Sequence, residues 1–405
     1  MVAASLLLVL VGVAVAVFVA YNIGGSNIGV AFGPAVGCRA VSKLGATVLM
    51  TIFFFLGGWT VGRNVVATMG GEIVPSSLFT IEASIGVLFF IGFALFLSNV
   101  VGVPASTSMT GVGSIAGLGL ATGTLNEAVM FEIVSWWILA PLIAFWVSGV
   151  IGRYLYPYLI EYFAITQTEG SLLELDRSGS IPMPALGPGT TQRELFGTAL
   201  VIIVSCYAAF SAGASNVANA IAPLIGNGSI TMNQGILLAG VASGVGAYTI
   251  GRRTLDTVGD DLTEMPLLAA LVVATVSSTL VTVLSELGIP SSIVVIATMS
   301  IVGLGWGRAT RTVSLSETIS GESPEVSVGA LAADSGNVPT VGGTIETPTP
   351  EAHPTPIGDE ESEDLPTASD LFRPGESARV IVVQNFVPAV ATIAAFLLFR
   401  FFPPG

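Results

Sequence analysis

Gly24-Gly25-Ser26-Asn27-Ile28-Gly29-Val30-Ala31-Phe32-Gly33-Pro34 returns 189 positions later as Gly213-Ala214-Ser215-Asn216-Val217-Ala218-Asn219-Ala220-Ile221-Ala222-Pro223. The same offset carries Trp59-Thr60-Val61-Gly62-Arg63 and Thr68-Met69-Gly70 onto Tyr248-Thr249-Ile250-Gly251-Arg252 and Thr257-Val258-Gly259. A later pair, Pro104 with Gly117-Leu118-Gly119, recurs as Pro290 with Gly303-Leu304-Gly305, displaced by 186. Three motifs in one order, twice, describe a chain built from two related halves.

The solvent of those halves is lipid. Of the 405 residues, 52% are hydrophobic and only 10% charged, against about a quarter charged in an average soluble protein. Stretches of about 20 apolar residues, enough to span a bilayer, are read near 3 to 21, 44 to 62, 80 to 98, 127 to 151, 195 to 212, 233 to 251, 265 to 285 and 380 to 402. Two shorter Gly-rich stretches after prolines, 105 to 122 and 290 to 306, suit re-entrant hairpins, tolerated at membrane depth where protein or a wet cavity covers the backbone. The expected fold is an all-α polytopic membrane protein with two inverted structural repeats, interrupted helices and re-entrant hairpins. Residues 1–151 form the first repeat, 152–194 a polar connector, 195–308 the main part of the second repeat, 309–379 an acidic segment and 380–405 the second repeat's closing helix. Paired halves with polar, Gly-rich interruptions point to a multi-pass cell-membrane transporter whose site lies at the repeat interface.

The motifs supply neutral oxygen and N–H groups. A run such as Asn22-Ile23-Gly24-Gly25-Ser26-Asn27 is expected to interrupt its helix. Half-helix ends would then offer N–H groups to an anion, and carbonyls and Asn side chains to a cation. Ser211 to Asn216 offers the same from the second half, with Asn219 as a further carbonyl. Small residues at such spacing also serve close helix packing in lipid, but their recurrence in register favours a shared site. Ser106-Thr107-Ser108, with Thr110 beyond, places hydroxyl donors where a hairpin would turn; a dehydrated oxyanion needs such donors. Its partner is thinner, Ser291-Ser292 followed by Ile293-Val294-Val295. Arg63 and Arg252 end spans and are read as headgroup anchors. Glu82, Glu132 and Glu286 are the acids nearest membrane depth, each close to a predicted span end.

Other classes recede. Cys38 and Cys206 give neither metal spacing nor a disulfide framework, and His353 is the only histidine. No nucleophile–base pair or nucleotide loop stands among the motifs, so no enzymatic activity, cofactor or nucleic-acid partner is expected. The apolar stretch at the N-terminus lacks a basic flank and is read as an uncleaved first span. The net charge of −14 is concentrated in residues 309–379, which hold 13 of the 27 acids and 3 of the 13 Lys and Arg. Rich in Pro, Thr, Ser, Glu and Gly, that segment is expected to be a disordered acidic loop.

These residues resemble the inorganic phosphate transporter (PiT) family. Gly213-Ala214-Ser215-Asn216-Val217-Ala218-Asn219-Ala220 resembles its Gly-Ala-Asn-Asp-Val-Ala-Asn-Ala signature, Gly251-Arg252-Arg253-Thr254 through Thr257-Val258-Gly259 its Gly-x-Arg-Val segment, and Pro104-Ala105-Ser106-Thr107-Ser108-Met109 its Pro-Val-Ser-Thr-Thr-His hairpin. The resemblance implies a symporter taking up inorganic phosphate with sodium or protons, working as a homo-oligomer in the lipid membrane. Carried over by position, substrate would meet Ser26, Asn27, Ser106, Thr107, Ser108, Ser215, Asn216 and Ser292, and a cation Asn22, Asn27, Asn216 and Asn219. The chain departs from the family where Ser26-Asn27 and Ser215-Asn216 stand for Asn-Asp, Val30 for the first unit's second Asn, Met109 for the hairpin His, and Ile293-Val294-Val295 for the second hairpin's Thr-Thr-His. Both signature carboxylates are gone. A sulfate permease of the same fold, or a transport-inactive membrane sensor or scaffold, are the alternatives.

The acidic segment carries the charge excess but none of the repeated motifs. Deleting 315 to 372 and leaving a flexible linker long enough to bridge the gap should preserve uptake by reconstituted protein. Uptake lost despite normal membrane insertion would make the segment a working part.

Overall fold

The computed structural model describes residues 2–101, 106–162, 173–176, 183–186, 192–261, 267–310 and 374–404. Most of the connector, the acidic segment from 311 to 373, Pro104 and the side chains of Arg252 and Arg253 lie outside the described residues.

The first unit runs α1 (Val2–Gly37), α2 (Lys43–Trp59), α3 (Gly62–Ala67) continued by a π-turn (Thr68–Glu72), α4 (Ile81–Val101), α5 (Thr107–Thr122) and α6 (Glu127–Val150), which passes through a second π-turn (Ile151–Leu155) into α7 (Tyr156–Tyr162). A two-stranded antiparallel hairpin, β1 (Leu173–Asp176) with β2 (Met183–Leu186), lies in the connector. The second unit runs α8 (Gln192–Gly226), α9 (Met232–Asp261), α10 (Leu267–Glu286), α11 (Ile293–Ala309) and α12 (Pro374–Phe401). Six stretches among the described residues are long and apolar enough to cross a membrane, and α2 with the Gly62–Glu72 segment, bent by 62° between them, makes a possible seventh. The protein is a nearly all-helical multi-pass membrane protein.

One expectation is corrected. The Asn22–Asn27 and Ser211–Asn216 runs do not break their helices; α1 and α8 continue through them for 36 and 35 residues. The Asn side chains fold back instead, Asn22 Nδ2 onto the Phe18 carbonyl, Asn27 Nδ2 onto Ile23 and Asn216 Nδ2 onto Ala212. Only one helical rung is lost in each, because Pro34 and Pro223 have no N–H to return to residues 30 and 219. The real interruptions lie at Thr60–Val61, between α2 and α3, and ahead of α5 and α11.

What the glycines do instead is let helices touch. A Cβ on Gly24 would overlap the carbonyl oxygen of Ser243, and one on Gly213 that of Phe54. Gly246 meets the carbonyl of Tyr21 in the same way, and Gly57 that of Phe210. Each contact maps onto the other by the 189-residue offset of the sequence. Packing between α1 and α9 is thus repeated between α8 and α2, and these four helices form the centre. On one flank stand α4, α5 and α12; on the other, α10, α11 and α6. The closing helices are exchanged, since α6 of the first unit packs on α11 and α12 of the second packs on α5. Gly117 against the backbone of Thr392, and Gly303 against that of Phe145, make those two contacts close as well.

Adding a methyl where backbones touch forces the helices apart, at about 1–3 kcal/mol or more for an overpacked site. Gly213→Ala should therefore lower the thermal midpoint of the detergent-solubilised protein. Gly37→Ala, at a helix end with open space around its Cβ position, should leave it unchanged.

Candidate functional site

The N-terminal ends of α5 and α11 meet at the middle of α8. Ser106 caps α5, its hydroxyl accepting from Met109 N–H at 3.3 Å, and Ser292 caps α11, accepting from Val295 N–H at 3.4 Å. A capping hydroxyl satisfies one first-turn N–H, and the remaining ones give each helix start a partial positive charge. Between the two starts lies the carbonyl of Ser291. Ser108 donates to it at 2.8 Å and Ser215, on α8, at 2.6 Å. Those hydroxyls are themselves 3.2 Å apart.

Beside this pair, Thr107 donates to Asn216 Oδ1, which also accepts from Asn219 Nδ2 at 3.2 Å. Ser106, Thr107, Ser108, Ser215, Asn216, Asn219, Ser291 and Ser292 are all buried. Burying so many polar groups is tolerable because nearly all are paired. The exceptions are Asn219 Oδ1 and the Ser291 hydroxyl, which have no hydrogen-bond partner among the described residues. Every partner in the network is a neutral Ser, Thr or Asn.

Of the residues expected from sequence, Ser106, Thr107, Ser108, Ser215, Asn216, Asn219 and Ser292 are thus brought together. The first unit's set is not. Ser26 donates to Ile23 of its own helix, and Asn22 Oδ1 accepts from Asn99 on α4 at 3.0 Å. Glu82, Glu132 and Glu286 are exposed on the outer face of their helices. Arg63 stacks on Trp59 at 4.6 Å and donates to Asn233 at 2.7 Å, tying the α2–α3 bend to α9. Sequence reasoning undervalued Ser291, whose carbonyl is the hub; the Pro-Ser-Ser ahead of α11 was its only signal. It missed Gly111, whose lack of a side chain makes room for Asn219 Oδ1.

Where the polar network stands on one side of the centre, its counterpart by offset is a cavity of about 200 Å3. Thr107, Gly111 and Asn219 correspond to Ile293, Ala297 and Val30, and all three of the latter line it. Ala270, Val273, Ala274, Ser277 and Ser278 of α10 form its opposite wall.

Comparisons with known proteins agree on the architecture. The model of the phosphate transporter family matches residues 23–321. The sulfate permease CysP of Bacillus subtilis is 29% identical over 292 residues, covering 72% of this chain and 75% of its own. A phosphate-permease relative from Helicobacter pylori is 27% identical, covering 72% and 67%. Among solved structures, a sodium-dependent phosphate transporter superposes with a TM-score of 0.65 over 98% of each chain, at 16% identity.

Ser108 ties α5 to the α11 start, whereas Ser114 on the same helix bonds only to its own Thr110 carbonyl, at 2.9 Å. Ser108→Ala should cost about 0.5–1.5 kcal/mol in stability and Ser114→Ala less, read as thermal midpoints. Equal effects would show that the inter-helix bond contributes nothing of its own.

Proposed function

The chain belongs to the phosphate transporter family, and on that premise we propose that it carries inorganic phosphate across the membrane as a cation-coupled secondary transporter. The observation that carries this reading is the convergence of two capped helix starts on a buried, wholly neutral cluster of hydroxyls and carboxamides. Helix N-termini attract anions, and hydroxyl rotors can turn from Ser291's carbonyl to a tetrahedral oxyanion, replacing its hydration shell. The halves are read as inverted repeats, with the site between them. A homo-oligomer in the lipid bilayer is the working form we expect.

Phosphate near neutral pH still carries a proton to donate, and the acceptor assigned to it in this reading is Asn219 Oδ1, buried with no partner among the described residues. A carboxamide oxygen can equally hold sodium, with Asn216 beside it. Sodium is favoured over protons as the coupling ion because no titratable side chain takes part in the network. Asn22 and Asn27, the cation ligands expected in the first unit, stand apart from this cluster in the present conformation.

Sulfate is a second reading with its own support. It has no proton to donate at neutral pH, so a centre of donors without carboxylates suits it, and the sulfate permease of Bacillus subtilis is among the relatives.

Uptake of radiolabelled phosphate and sulfate by proteoliposomes, under sodium or pH gradients, separates these outcomes. Thr107→Val keeps the shape and removes a donor; it should weaken oxyanion affinity roughly ten- to a hundredfold, the worth of a hydrogen bond to a charged group. Asn219→Ala should weaken phosphate affinity up to about tenfold and sulfate less, since only phosphate has a proton to give. Equal losses for both anions would remove the proton-accepting role. No uptake of either anion under any gradient would leave the sensor or scaffold reading.

A further inference from the structure

Helix α10 carries hydroxyls of two kinds. Thr275, Ser277 and Thr279 each donate to the carbonyl four residues back, at 2.7–2.8 Å, the usual way such residues are satisfied in a membrane helix. Ser278, Thr282 and Ser285 do not. Their hydroxyl oxygens are buried and have no hydrogen-bond partner among the described residues, although Ser278 and Ser285 are wholly buried. The spacing of four and then three residues puts the three on one face, and seven residues of helix cover about 10 Å. At one end of that stripe, Ser278 lines the apolar cavity between α1, α10 and α11. Beyond the other end, past the Gly288 turn, lies Ser291, the hub of the oxyanion site, with its own hydroxyl also unpartnered.

A hydroxyl buried without a partner destabilises a fold, and three in succession call for a compensating use. Had they been glue between helices, they would donate across to α8 or α11. The cavity, about 200 Å3, has an apolar lining broken only by Ser277 and Ser278. It also occupies the place where the opposite half is filled by Thr107 and Asn219. We infer, on the transport reading above, that the cavity and the Ser278–Thr282–Ser285 stripe form the route by which the oxyanion reaches Ser291 from one side of the membrane. The three hydroxyls hand the partly dehydrated anion along α10. Val30 and Ile293, the apolar departures from the repeat, keep the mouth of that route open rather than closed by side-chain hydrogen bonds.

Two measurements test the route. In the first, Ser278→Ala, Thr282→Val and Ser285→Ala are combined in full-length protein in liposomes. The initial uptake rate should fall by about tenfold or more, a barrier increase of about 1.4 kcal/mol. Equilibrium binding of phosphate and sulfate should stay put and the thermal midpoint should hold or rise. An unchanged rate makes the stripe structural, and a parallel loss of affinity places it in the binding site; either result overturns the route. The second measurement needs no transport. In a Cys38→Ala, Cys206→Ala background, single Ser278→Cys and Ser285→Cys variants should react with a charged, membrane-impermeant thiol reagent far faster than Thr275→Cys, which faces outward. Phosphate or sulfate should slow that reaction. Labelling no faster than at Thr275 overturns the route even if the triple variant fails to insert. Wild-type protein that takes up neither anion, while the Ser278→Cys and Ser285→Cys variants still label, would sink the transport reading and leave a solvent-accessible passage in place.

Discussion

The whole arrangement depends on how closely helix backbones can approach at Gly24, Gly57, Gly213 and Gly246. Lipid is as apolar as leucine, so no hydrophobic force presses helices together within it, and association rests on close packing. Four carbonyl oxygens, of Ser243, Phe210, Phe54 and Tyr21, lie where side chains would otherwise stand. That contact sets the spacing of α1 to α9 and of α8 to α2. It also fixes the height and rotation of α8, and with them Ser215 and Asn216, which follow the touching Gly213 by two and three residues. A displaced α8 would carry those groups away from the starts of α5 and α11, and no hydroxyl could bridge the difference.

This explains what the sequence made legible and what it hid. The repeat register, six of the eight spans and the short helices after Pro104 and Pro290 could be read from composition and punctuation. So could seven of the clustered site residues, because polar groups in an apolar run mark themselves. The state of the backbone around Gly24-Gly25 and Gly213 could not. Glycine signals both a broken helix and a crowded one, and only the neighbour decides which. Here the neighbour is another helix at contact distance, so the rungs stay closed and the Asn side chains turn inward to carbonyls. The exchange of α6 and α12 between flanks was equally hidden, since apolar helices of similar length carry no label for their partners.

The two halves share a repeat in sequence and differ around the centre. Thr107, Gly111 and Asn219 make one side of the centre polar and filled; Ile293, Ala297 and Val30 make the other apolar and hollow. A strictly symmetric site would hold two such networks; Ile293 and Val30 lack the donors and acceptors of Thr107 and Asn219, and Ala297 adds a methyl where Gly111 has none. Ser26 and Asn27, the counterparts of Ser215 and Asn216, bond within their own helix and join no such network among the described residues.

The exchanged closing helices then couple the site to the scaffold. α5 is held mainly by α12, which belongs to the second unit, and α11 by α6, which belongs to the first. Ser108 and Ser291 sit at the starts of those two held helices, and Ser215 sits on the central α8 between them. A shift of α5 relative to α11 would lengthen the Ser108–Ser291 bond, and Ser215 would keep or lose its own according to which flank α8 follows. Donors freed in that way in a buried, neutral centre need a new acceptor. On the transport reading proposed above, a tetrahedral anion would supply four oxygens at once, so breaking the hub and binding the anion would favour one another.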